Sequence, residues 1–177
     1  MSAPTSNRRL KIPTCNHSLA FRRIEAVIRN DRNCRLVFGD RIRAWNGEAL
    51  DVAPWAINLT PGITLTPGQS SDEWYGPSGF KSNLTIDCEI GVPGTNVEDI
   101  FDVLQVVRRA FYPTNTTDSQ TIHNTIAGPA VSGGLRICET GEPIIGSPGI
   151  SIISAQADAI TLARFGITLE VQDTINP

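Results

Sequence analysis

Between Asn83 and Phe111 the spacing of apolar residues changes once, and that change constrains the fold more than any other feature of the chain. In "NLTIDCEIGV", Leu84, Ile86, Cys88, Ile90 and Val92 recur at every second position, with Asn83, Thr85, Asp87 and Glu89 between them. A period of two puts each set on its own side of an extended strand, so one face packs on a core and the other meets water or a neighbour. After Pro93-Gly94, "NVEDIFDVLQVVRRAF" carries Val97, Ile100, Phe101, Leu104, Val107 and Phe111 as one apolar stripe at helical spacing. Thr95 with Glu98 is a candidate capping box, and Asn96 is an alternative cap. Acids gather in the first turns (Glu98, Asp99, Asp102) and Arg108-Arg109 in the last, as the helix dipole favours. Tyr112-Pro113 then stops the helix. Strand and helix each present an apolar side with no other partner close in sequence, so they are expected to pack on one another.

The rest of the chain supplies further elements. Residues 1–15 are polar and proline-punctuated and read as an extended arm. A first helix is expected over Ser18–Asn30, with Phe21, Ile24, Val27 and Ile28 on one side and Arg22, Glu25 and Arg29 on the other. The segment "CRLVFGDRIRAWNGEALDVAPWAINLTPG" suits short strands and bends. Trp55, Ile57 and Leu59 alternate, Pro61-Gly62 ends the pairing, Ile63 and Leu65 resume it, and Pro67-Gly68 ends it again. The repeated LTPG is therefore architecture; a phosphate loop would need glycines opening a helix with a Lys and Ser or Thr beside them. "QSSDEWYGPSG" (69–79) reads as a polar loop with Trp74 and Tyr75 in its middle, and 113–134 as a long Thr/Asn/Gly-rich loop, functional or mobile. "LRIC" reads as a short strand and "ETGEPIIGSPG" as turns. From Ala159 the odd positions Thr161 to Val171 share one face of a long final strand, whose beginning "SAQADAIT" reads equally as helix. The fold class expected is α+β, a mostly antiparallel sheet with two main helices, in a single domain over 16–177 behind the 1–15 arm. A chain of 177 residues suffices for one such core.

Reactive chemistry finds little support. Candidate metal ligands are Cys15, His17, Cys34, Cys88, His123 and Cys138, but only Cys15 and His17 lie close, without a CxxC or HxxxH pair. Either histidine would have to serve a nucleophile as base, yet His17 falls in a polar arm and His123 in a polar loop. Asp87 with Glu89, and Asp72 with Glu73, are paired carboxylates with nothing nearby to desolvate them. No catalytic residue, metal or cofactor is expected. The cysteines read as reduced thiols, and the basic start lacks the apolar run of a secretory signal, so a cytoplasmic setting is expected. No apolar run spans a bilayer.

The charge is lopsided. Residues 1–45 hold ten of the fifteen basic residues against three acids, while 46–177 hold five against fifteen. Either the halves pair inside one fold, or oppositely charged faces meet in an assembly. Nucleic-acid recognition ranks behind both, because the arginines are not interleaved with aromatics. Trp74 and Tyr75 in a polar loop are candidates for an interface centre or for the core.

The order of elements, with "LAFRRIEAVIRND", "WAINLTPG", "DEWYG", "NLTIDCEIGV" before "VEDIFDVLQVVRRAF", and the closing "ARFGITLEV", resembles the tail terminator (tail completion) proteins of long-tailed bacteriophages, the minor tail protein U group. The similarity covers roughly residues 16–173. It implies a sheet with helices packed on one face, assembled as a hexameric ring that caps the tail tube and meets the head-side connector, with genome DNA passing through the opening. It carries no catalytic residues. Candidate interface residues are Arg22, Arg29, Arg43, Asp72, Glu73, Trp74, Tyr75, Asp87 and Glu89. The expected partners are further copies of the chain, the tail tube protein and a connector or neck protein, with no membrane and no sequence-specific nucleic acid. A neck or head-completion adaptor, or a small-ligand module using the 69–79 loop, are the alternatives.

Overall fold

The computed structural model describes residues 16–45, 61–74, 79–128, 138, 140–155 and 158–174. Helix α1 (Asn16–Asn30) is followed by α2 (Arg32–Phe38), a 3-10 turn (Gly39–Arg41) and strand β1 (Ile42–Ala44). Strands β2 (Gly62–Trp74) and β3 (Gly79–Pro93) lead into α3 (Val97–Phe111) and α4 (Thr116–Ala127). Strands β4 (Ile144–Ile145), β5 (Gly149–Ala155) and β6 (Asp158–Thr174) close the fold. The sheet order is β1-β2-β3-β6, with β4 and β5 both on the remaining side of β6. Only the β1–β2 pairing is parallel; the others are antiparallel. The fold is thus α+β, with a mixed sheet of six strands and four helices among the described residues.

The period-two strand and the helix after it pack as their patterns dictate. Leu84, Ile86, Cys88, Ile90 and Val92 are buried, and so are Ile100, Leu104, Val107 and Phe111 of α3 above them. Each such large side chain contributes about 1.5–3 kcal/mol relative to exposure. Asn96 caps α3, its side-chain oxygen accepting from the Glu98 amide at 3.1 Å, in place of the Thr95 box. Phe101 departs from the expected stripe: one position past Ile100, it is rotated off the core side and is 51% exposed. In β6 the odd positions Thr161 to Val171 are buried on the helix side. Ala155 and residues 158–161 are strand, which settles the helix alternative there against helix.

Three segments differ from the sequence expectation. "RNCRLVF" is helical rather than extended: Asp31 accepts from the Cys34 amide at 2.8 Å, and Cys34 and Phe38, four apart, both point inward. Of the expected 113–134 loop, Thr116–Ala127 is helix α4. Asn115 caps it, and Thr121 and Thr125 donate to the carbonyls of Thr117 and Thr121, so these polar side chains are satisfied inside the helix. From α1, Arg23 donates to the Ile126 carbonyl at 2.8 Å and closes the far end. Finally, Pro67-Gly68 does not end β2. The register against β3 shifts between Pro67 and Ser70, a bulge that absorbs the missing proline donor, and the strand continues to Trp74. The proposed strand around Trp55–Leu59, most of "LRIC", and the 1–15 arm lie outside the described residues.

Candidate interaction surfaces

The helices cover one face of the sheet, and the opposite face of β3 and β6 is polar. Cross-strand ion pairs run along it: Lys81 Nζ to Glu170 at 2.8 Å, and Arg164 to both carboxylate oxygens of Glu89 at 3.0 and 3.4 Å. The hydrogen bonds and charge of Glu89 hold the Arg164 guanidinium above its ordinary pKa. Glu89 is therefore engaged inside the subunit, whereas Asp87 on the same face is exposed. One of the two paired carboxylates thus already has its own cation.

Arg22 and Arg29 clamp Glu25 of their own helix, at 2.9 and 2.7 Å. Burial opposes ionisation of Glu25, but hydrogen bonds and charge from Arg29 and Arg22 outweigh it and hold the carboxyl below its usual range. These arginines face outward as the helical spacing requires, already committed to a local partner. Arg43 lies exposed on β1, opposite Thr64 of β2. Asp72, Glu73 and Trp74 belong to β2, where their backbones pair with Ser82, Lys81 and Phe80. The expected 69–79 loop is thereby corrected: 69–74 extends a hairpin, because the bulge lets β2 run on. Tyr75 lies outside the described residues.

Both histidines are held more firmly than the sequence suggested. His123 is buried on α4, within 3.0 Å of the Phe111 carbonyl and edge-on to the Tyr112 ring at 5.3 Å. It secures α4 to the end of α3; the i, i+4 pair Ile122 and Ile126, next to a capping asparagine, was the signal for this helix. His17 lies on α1, not in the arm, and its Nε2 meets the Ser82 hydroxyl. Ser82 is 3% exposed, so this contact fastens the start of α1 to β3, and the Asn16 side chain, donating to the Gln172 carbonyl at 2.6 Å, fastens it to β6. Among the described residues no three His, Cys, Asp or Glu side chains converge as metal ligands. Burial pushes the thiols of Cys34 and Cys88 well above their ordinary pKa, with the charges of Asp31 and Asp87 adding to it.

A groove of about 290 Å³ runs between α1 and α4, lined by Arg23, Val27, Asn30, Ala110, Ile122 and Thr125 among others. Its best-placed polar groups are spent on the helix ends, Arg23 on Ile126 and the adjoining Asp31 on Cys34. The exposed large apolar side chains among the described residues lie elsewhere: Leu36 on α2, Trp45 just past β1, Phe101 on α3, Tyr112 beside Ile144 of β4, and Ile152 and Ile153 on β5. Sequence periodicity could not mark these positions, because it identifies the buried side of an element and not which exposed residues gather. No helix among the described residues is long and apolar enough to cross a membrane. Comparison with protein-family models gives no match for this chain, and comparison with curated proteins gives none either.

Proposed function

We propose that this chain is a tail-terminator subunit of a long-tailed bacteriophage, a structural virion protein at the tail–neck junction. In this reading six copies form a ring that caps the finished tail tube and presents its other side to the connector. The sequence resemblance supplies the identity. The observation that carries it furthest is the distribution of the exposed apolar side chains among the described residues: Leu36, Trp45, Phe101, Ile152 and Ile153 stand on the outer surface, and Tyr112 and Ile144 border a hollow. Surfaces of that kind suit contact with other protein chains. The cross-strand ion pairs and the bonding of both histidines into the fold also fit a subunit that holds its shape in an assembly without doing chemistry.

The test is native mass spectrometry and negative-stain imaging of the purified chain, alone and with tail tube protein. Six-fold rings, formed alone or on tube ends, are the expected result. A monomer that neither self-associates nor binds tube ends would overturn the reading. Binding to connector without affinity for tubes would transfer it to a neck adaptor.

A further inference from the structure

The two margins of the sheet differ in charge as well as in position. At one margin, α2 leads through the 3-10 turn into β1. Arg32 and Leu36, four apart, share the side of α2 opposite Cys34 and Phe38, with Arg35 exposed on its flank, and Leu36 is 73% exposed. Arg32, Arg35 and the neighbouring Arg43 have no ion pair among the described residues. At the other margin, β5 is the last strand, and Ile152 is 49% exposed. Ile152 pairs with Thr161, whose hydroxyl donates to the Gly94 carbonyl just before α3, so the start of α3 lies beside this margin. Glu98, Phe101 and Asp102 project from that start. They continue the helical side that carries Arg108 and Tyr112, which lines a hollow with Ile144 on β4. Glu98 and Asp102 are exposed, again without an ion pair among the described residues.

From this arrangement we infer that the β5–α3 margin of one copy docks on the α2–β1 margin of the next, Phe101 and Ile152 against Leu36, with Glu98 and Asp102 facing Arg32 and Arg35. The occupant of each margin is thus a second copy of this chain. The inference rests on the ring reading above and names the contact that would build it. Charge decides the geometry. A two-fold contact would bring Glu98 and Asp102 against themselves, or Arg32 and Arg35 against themselves, which is repulsive, although each margin also carries one or more charges of the other sign, at Arg108 and at Asp40. A contact between unlike margins is heterologous and repeats head to tail, the arrangement a ring requires. It also accounts for the uneven charge along the sequence. Each ion pair described above (Arg22 and Arg29 with Glu25, Arg164 with Glu89, Lys81 with Glu170) joins partners within the same half of the chain. Arg32 and Arg35 of the first half and Glu98 and Asp102 of the second are left for contact between copies.

Charge exchange tests this directly, with sedimentation velocity as the readout. One variant carries Arg32→Glu and Arg35→Glu, so its α2 bears acids as the start of its α3 does; the other carries Glu98→Arg and Asp102→Arg, so the start of its α3 bears arginines as its α2 does. Each alone should associate at least about tenfold more weakly than the wild type, while a one-to-one mixture regains association by alternating the two. Thermal melting of each variant confirms that it folds. Phe101→Ser, which leaves the charges alone, should weaken association in the same direction. Raising salt should weaken the wild type and the mixture together. Variants that associate as the wild type does, or a mixture no better than its components, would overturn this contact and leave the ring reading standing. A wild type that sediments as a monomer at every concentration also overturns it, and ring formation on tube ends then remains to be judged by its own assay.

Discussion

Replacing Gly141 by alanine should destabilise the protein severely, although nothing in the sequence around it marks a core position. Gly141 has φ of 65°, in the left-handed region, where a Cβ costs about 1–2 kcal/mol. Its surroundings add more. A Cβ there would lie 1.9 Å from the His123 carbonyl oxygen and 2.7 Å from the Ala127 amide nitrogen. Both atoms are helix backbone, so no rotamer change relieves the clash, and the end of α4 must separate from the Gly141 segment. That movement loosens the His123 contact with the Phe111 carbonyl, worth about 1 kcal/mol. It also exposes part of Ile126, worth a further 1–2 kcal/mol or so. The total is about 3–5 kcal/mol, which at roughly 2–4 °C per kcal/mol for a domain of this size lowers the melting temperature by about 10 °C. Gly94→Ala is the control, because Gly94 has φ of 93° with no atom within 4 Å of the added Cβ. It should lose only the backbone term. Equal melting losses for the two variants would refute the packing argument, as would a Gly141→Ala protein that melts within about 2 °C of wild type.

Two further outcomes concern titratable groups. Because Glu25 has a lowered folded pKa, its stabilisation is present above the unfolded value of about 4.3 and is lost as pH falls through the folded value. Glu25→Gln should therefore cost about 0.5–1 kcal/mol at neutral pH in urea unfolding, the modest size reflecting solvent-screened arginine partners, and the gap should close in acid; a gap that widens in acid contradicts the assigned sign. Cys34 and Cys88 should resist iodoacetamide at about pH 8 in the folded protein and react once urea unfolds it, because burial keeps them as thiols. Rapid native labelling, read by peptide mass, would show that the core opens around these thiols and refute their burial.

Much of the fold was legible where a repeating pattern met a single burial boundary. The β3 alternation, the α3 stripe and the odd positions of β6 each gave the correct buried side, since a regular element facing one core must repeat its apolar residues at its own period. The misreadings share a cause. Helix α4 is short of apolar residues and rich in threonine, so its local signal was that of a loop; its stability comes from Arg23 of α1, from Gly141 fitting against its last turn, and from His123. Likewise "RLVF" has strand-like residues, yet the Asp31 cap and the burial of Cys34 and Phe38 make it a helix. Pro67-Gly68 looked like an ending because a proline interrupts a ladder, and pairing with β3 beyond the bulge carried the strand past it.

By itself the sequence determined which sides of the long elements are buried, where α3 begins and ends, and that basic and acidic residues are segregated along the chain. These are local or periodic properties, set by backbone geometry and the spacing of side chains. Which charges are spent, however, was decided by tertiary structure alone. Glu89 and Arg164 are 75 positions apart, and only the β3–β6 register makes them neighbours. The same folding packs α2 on the middle of α3, Cys34 against the Val106 carbonyl, with Arg32 and Leu36 on the outer side of α2 and Phe101 on a side of α3 turned away from Val106. Separation in space depends on strand order, and strand order is fixed by contacts between residues that no local pattern brings together.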